Sequence, residues 1–328
     1  MITYVARRLL LAALTIGVIS ALSFVIIKLP PGDYVTSYIA EMEASGGTVS
    51  QGEAAAMRHE LGLDRPLYVQ YGKWMGRLLR GNFGVSLEYQ RPVVDVIGDR
   101  LWTTVLLSVA ALLFTWVLAL PLGIYSAVRQ YSVGDYVFTF IGFIGVAVPG
   151  FLLALVLLYV SFTLFNARVG GLFSPAYLNA PWSAARAWDL AKHLPLPALI
   201  LAISGIAHTM RIMRANLLDE LRKPYVTTAR AKGLTAVRVL LKYPVRVALN
   251  PFISTVGYSL PYIVSGTIIV SLVLNLPTVG PLLVTALLAQ DMFLAGVIIL
   301  MLGVMTVVGT LLSDLVLIWA DPRIRLSG

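Results

Sequence analysis

Cysteine is absent from the 328 residues, which removes disulfide frameworks, thiolate metal sites and cysteine nucleophiles together. Charge is scarce. Asp, Glu, Lys and Arg make up 12% of the chain, about half of what a soluble domain carries. The histidines, His59, His193 and His208, are scattered without metal-ligand spacing. No G-x-x-x-x-G-K-[ST] phosphate loop occurs, so the chain is not expected to hydrolyse ATP, and no catalytic constellation is visible. No cofactor or metal is expected in it. What fills the chain instead is apolar: 58% of residues, with a mean hydropathy of +0.84.

A bilayer core about 30 Å thick asks for roughly 20 apolar residues per helical span. About six stretches qualify, at residues 9–27, 101–128, 136–165, 194–213, 251–276 and 293–319. The expected fold is therefore an all-α integral membrane protein, with a single membrane domain over 1–328. The first run is longer than the 7–15 residues of a signal-peptide core, and the following Lys28-Leu29-Pro30-Pro31-Gly32 offers no cleavage site. It reads as an uncleaved span. Pro149-Gly150 lies inside the third stretch, and Pro195 and Pro197 interrupt the fourth early. Prolines in spans free backbone carbonyls that neighbouring helices must satisfy, so these helices expect a bundle.

The net charge of +9 would suit nucleic acid in a soluble protein, but here the position of the basic residues decides. Arg7 and Arg8, Arg129, the loop at 214–250 and the tail at Arg323 and Arg325 all fall on one side of a six-span chain. Short basic loops mark the cytoplasmic face, which places both termini inside and points to the lipid bilayer rather than nucleic acid. The external segment 30–99 also carries basic residues, but acids balance them. Within it, the polar 41–51 stretch reads as flexible, and Asp64 is expected to cap a helix with Pro66 in its first turn. Tyr71, Trp74, Met75 and Leu78 recur at helical spacing, which fits either a helix lying on the outer surface or one packed against the bundle. Trp182 and Trp188 in the second external segment read as interfacial anchors.

The segment 222–251, RKPYVTTARAKGLTAVRVLLKYPVRVALNP, carries more than topology. Pro224 suits a first helical turn, Thr227, Thr228, Ala229 and Ala231 keep the helix slim, and Gly233 fits a left-handed stop. Thr235 is placed to cap a second helix. A basic interfacial loop would explain Arg230 and Lys232, but not the run of small residues ending in glycine. Small side chains let another protein surface approach closely.

TTARAKGL, Thr227, Thr228, Ala229, Arg230, Ala231, Lys232, Gly233 and Leu234, resembles the EAA loop of bacterial ABC-importer permeases in its dipeptide and oligopeptide form. Ala229 and Gly233 match the consensus small residue and glycine; Thr227 stands where the broader superfamily has glutamate. MITYVARRLL at the start, LGLDRPLYVQYGKW, GNFGVSL and RPVVDVIGDRL in the external segment, KHLPLPAL and ADPRIR are similar to the same family. The resemblance implies a type I importer permease in the cell inner membrane. In it the loop would be a coupling helix docked on a cytoplasmic ATPase. It also implies the partners: a second homologous permease subunit, two ATP-binding subunits that hold ATP and magnesium, and an extracytoplasmic solute-binding protein. Peptides are the implied cargo. One departure, LNLPTVGPLL at 274–283 without the acid often found there, leaves an oligosaccharide or other solute open. An ion-coupled secondary transporter is the rival from another class, and no inverted repeat supports it.

Ionisable groups inside spans cost roughly 2.5–3.5 kcal/mol on insertion scales and each needs an account. Asp314 and His208, with Arg211, sit toward the inner ends of the sixth and fourth spans. They are expected either to line a pathway or gate, or to pair and snorkel. Asp291, just before the sixth span, is expected to be an exposed loop acid, with contact to a cationic peptide terminus as the alternative. Gly142, Gly145, Gly150, Gly257 and Gly266 are expected to allow close helix packing.

Overall fold

A computed structural model describes residues 2–165, 170–178, 180–252 and 268–320. Among them the regular structure is helical, apart from one isolated bridge between Val85 and Pro92. The chain divides into two compact units, Met1–Thr103 with Thr278–Val307, and Thr104–Pro277 with Val308–Gly328.

The first unit begins with α1 (Ile2–Lys28), whose Leu10, Leu14, Val18, Leu22 and Val25 are exposed while Ser20, Ser23, Phe24 and Ile27 are buried. Such an apolar outer face is stable only against lipid or another protein. Two short helices follow. Asp33 caps α2 (Tyr34–Ala44) in a reciprocal box with Thr36, and Ser50 caps α3 (Gln51–Leu61) in the same way with Glu53. The Glu41–Ala44 end of the stretch read as flexible is thus helix, and its last residues feed a cap. Asp64 does not cap α4 (Leu67–Leu78). Pro66 holds that position without a side-chain bond, because the Asp64 carboxylate is engaged by His59 Nδ1 at 2.8 Å. α4 resolves its two readings in favour of packing. Trp74 is 3% exposed and lies in a core with Phe24, Ile27, Val93, Leu294 and Ile298, with Tyr71, Met75 and Leu78 against it. Gly296 makes room for the Trp74 ring: a Cβ there would lie 2.9 Å from Cζ2.

The first turns of α5 (Val93–Val128), α14 (Val279–Leu288) and the start of α15 (Met292–Ala320) complete that unit. α5 starts eight residues before the predicted span, just after Pro92, and at about 54 Å it is longer than a hydrocarbon core.

The second unit holds the rest of α5, then α6 (Val133–Ala147) and α7 (Gly150–Phe165). The third span was expected as one piece; α6 and α7 meet instead at 98°. Proline at 149 brings no N–H, so the ladder cannot continue through it. After a 3₁₀ turn at Pro175–Tyr177 come α8 (Ala184–His193) and α9 (Pro195–Leu221). Pro195 and Pro197 start α9 rather than interrupt it, and the bend lies lower, 57° between Ile203 and Gly205. Trp188 and Trp182 are both exposed, Trp188 under Lys192 and Trp182 edge-on to Phe173 with the Arg186 guanidinium over both rings. α10 (Pro224–Ala231), α11 (Ala236–Lys242), α12 (Pro244–Ala248) and α13 (Ile268–Val273) follow.

Among the described residues, three helices are long and apolar enough to cross a membrane, and five crossings result if each bent pair counts as one. The fifth predicted span, 251–276, falls largely outside the described residues, as do Gly257, Gly266, the ADPRIR tail and the side chain of Asp314.

Candidate functional site

The loop at 222–251 folds as the residue types demand. Pro224 occupies the first position of α10, where a missing N–H leaves nothing unbonded. Lys232 closes the helix, its N–H bonded to Thr228 O at 3.1 Å, and Gly233 follows at φ +78, its N–H bonded to Arg230 O at 2.9 Å. A Cβ on Gly233 would meet nothing within 4 Å, so the backbone angle alone asks for glycine. Thr235 stands at the cap position of α11 but makes no capping bond with its side chain.

The resulting hairpin has two faces. Val226 and Ala229 turn inward onto Val239, with Leu234 and Tyr243 partly buried beside them. Thr227, Thr228, Arg230, Ala231, Lys232 and Gly233 are exposed. The small residues therefore lie where a partner surface can reach the backbone. Arg222, Lys223, Arg238, Lys242 and Arg246 are exposed as well, and with Arg230 and Lys232 they give the loop a basic rim. An acidic groove on a partner would complement it.

Two connections join the hairpin to the spans. Tyr225 donates its hydroxyl to Glu220 Oε2 at 2.5 Å, tying the first turn of α10 to the last turn of α9. Burial, together with that carboxylate, pushes the Tyr225 hydroxyl well above its ordinary range. On the return side, Val245, Ala248 and Phe252 pack with Met213 and Leu217 of α9 and Ala127 of α5. The hairpin is thus seated on the lower half of α9 by a hydrogen bond and an apolar core.

The other singled-out residues stand apart from it. His208 is exposed on α9, and Arg211, one turn further, holds its guanidinium 5.9 Å from the Phe143 ring centroid. Asp291 is not an exposed loop acid: it is fully buried, in the first unit. One carboxylate oxygen accepts from Ser86 Oγ at 2.5 Å and Glu88 N at 3.2 Å, and the other from Leu294 N at 3.0 Å. It caps α15 and pins the 84–92 loop to it. The Asp-x-x-Leu spacing before an apolar run signals such a cap, but a partner more than two hundred residues upstream leaves no local trace.

Sequence reading passed over Asp135 and counted Arg214 with the basic loop, whereas Arg214 lies in α9. Arg214 Nη2 meets Asp135 Oδ2 at 2.9 Å across 79 positions of chain. Ser132 and Asp135 form an S-x-x-D helix start that could have drawn attention to the acid.

The family of binding-protein-dependent transport system inner membrane components matches residues 119–326, and its N-terminal region matches residues 1–108. The oligopeptide transport system permease protein AppB of Bacillus subtilis is 36% identical over 327 residues, covering 99% of this chain and all of its own. The corresponding protein OppB of Mycobacterium tuberculosis is 31% identical over 334 residues, covering both chains completely. The glutathione transport system permease protein GsiC of Escherichia coli is 30% identical over 325 residues and 99% of each chain. With these matches running from end to end, the chain belongs to the family of binding-protein-dependent transport system inner membrane components.

Proposed function

We propose that this chain is one permease subunit of an ATP-driven importer of peptides, and that its 224–234 hairpin receives the stroke of a cytoplasmic ATPase. The hairpin carries this reading: a slim helix ended by a left-handed glycine, presenting Thr227, Thr228 and Ala231 to the outside on a seated base. The relatives' names, two oligopeptide permeases and one glutathione permease, support peptides as cargo. A second permease subunit would complete the path, two ATP-binding subunits would bind ATP and magnesium, and an extracytoplasmic binding protein would deliver cargo. Both termini and the hairpin lie inside the cell in this reading, in keeping with the basic loops.

Uptake of labelled peptides into proteoliposomes holding the full complex tests it. Gly233→Val forces a β-branched residue to positive φ, which costs on the order of 1–3 kcal/mol and reshapes the turn. The expected result is loss of ATP-driven uptake. Parental uptake per ATP in that variant would remove the hairpin from the mechanism.

A further inference from the structure

Asp135 is the third residue of α6, and its side chain is almost wholly enclosed. Its Oδ2 accepts from Arg214 Nη2 at 2.9 Å and from the Tyr131 N–H at 3.0 Å. Tyr131 sits at φ +62, a left-handed angle that a bulky side chain seldom adopts. One carboxylate oxygen therefore holds a strained turn between α5 and α6 and joins it to α9. Arg214 lies about 15 Å along the helix axis from the start of the hairpin.

The helices touch closely above that pair. A Cβ on Gly142 of α6 would lie 3.4 Å from the Ala207 Cβ of α9, and one on Gly145 would lie 3.0 Å from Ile203 Cγ2. Just past this contact α6 turns from α7 by 98° at Pro149, and α9 bends by 57° at residue 204, between its two contact positions, while remaining one helix. Below the two bends lie α6, Gly205–Leu221 and the hairpin seated on α9.

We propose that Asp135 and Arg214 are positioning residues for transport, clamping α6 and its turn to the lower half of α9 so that these segments follow the hairpin as one body. The corner at Pro149 and the bend of α9 at residue 204 then take up the displacement. An ion pair with a shared backbone N–H suits this role, because it fixes orientation as well as distance. The inference rests on the hairpin being the docking element.

The test uses the complete reconstituted importer and reads substrate transported per ATP hydrolysed. Asp135→Asn and Arg214→Met should each lower that ratio on the order of tenfold, while ATP hydrolysis continues. Arg214→Lys, which keeps the charge and a donor, should retain most of it. Because the chain lacks cysteine, Gly142→Cys with Ala207→Cys gives a single cross-link at nearly disulfide spacing. Oxidising that pair should leave transport intact and restore the ratio in the Asp135→Asn background; reduction should undo the restoration. A merely structural acid would alter assembly without this redox-dependent ratio. Loss of transport on oxidation, with Asp135 present, would show that the helices slide and would overturn the clamp, and this arm decides even if Asp135→Asn fails to assemble. Parental ratios in Asp135→Asn and Arg214→Met would overturn it too. If Gly233→Val uncouples while those two do not, the clamp alone fails; if Gly233→Val also couples normally, the hairpin reading fails first.

Discussion

Asp291 accepts three hydrogen bonds while fully buried, so its removal strands Ser86 Oγ and two backbone N–H groups at once. Losing a cap and charged hydrogen bonds together should cost about 2–4 kcal/mol for Asp291→Ala, with Asn recovering part. Thermal unfolding in detergent, followed by tryptophan fluorescence, measures it. Its neighbour Glu88 behaves oppositely. Burial and the nearby Glu41 and Asp291 raise the Glu88 carboxyl above its ordinary range, so the proton is held more tightly in the fold than in the unfolded chain. The stabilising share of that proton is complete at low pH and is lost as pH rises through the raised value. Glu88→Gln should therefore raise Tm at neutral pH, with the gain vanishing near about pH 4. Asp33 has the reverse sign. Burial alone would raise it, but hydrogen bonds from Arg58 and Thr36 outweigh burial and hold the carboxyl low. Its contribution is present above about pH 4 and fades below. Gly233 and the small residues around it were legible because φ and bulk are properties of one position. Asp291 and Asp135 were not, since their partners are set by the fold.

Among the elements, the helices were legible and their ends and bends were not. Hydropathy marks where lipid begins, not where a helix stops, which is why α9 runs past 213 to Leu221 through polar residues and α5 starts at Val93. Pro149 announces a break, but its angle depends on what packs to either side. The same difference separates glycines that look alike in sequence. Gly123 of α5 faces α9 so closely that a Cβ would lie 2.8 Å from the Met210 carbonyl oxygen, which a backbone cannot yield cheaply. Gly72 of α4 has nothing within 4 Å of that position. Gly123→Ala should cost about 1–3 kcal/mol by overpacking. Gly72→Ala should gain up to about 1 kcal/mol from helix propensity. Paired melting curves of the two variants distinguish crowded from open faces.

For the molecule as a whole, the family follows from matches at both ends of the chain, whereas the orientation across the membrane is argued from basic loops alone. Single cysteines read it directly, because no native thiol competes. Thr227→Cys should react with an impermeant maleimide only after the cells are opened, and Gly72→Cys in intact spheroplasts. The break between α6 and α7 bears on the same scale. Each arm spans only about 22–24 Å, less than the greasy slab it must inhabit, and the corner carries a proline with no hydrogen to offer. Oil cannot quench the amide groups left over at such a corner; only water or a neighbouring protein can. A copy deprived of that cover would carry a thirsty spot in its flank, so its lifetime should follow the abundance of whatever covers the corner.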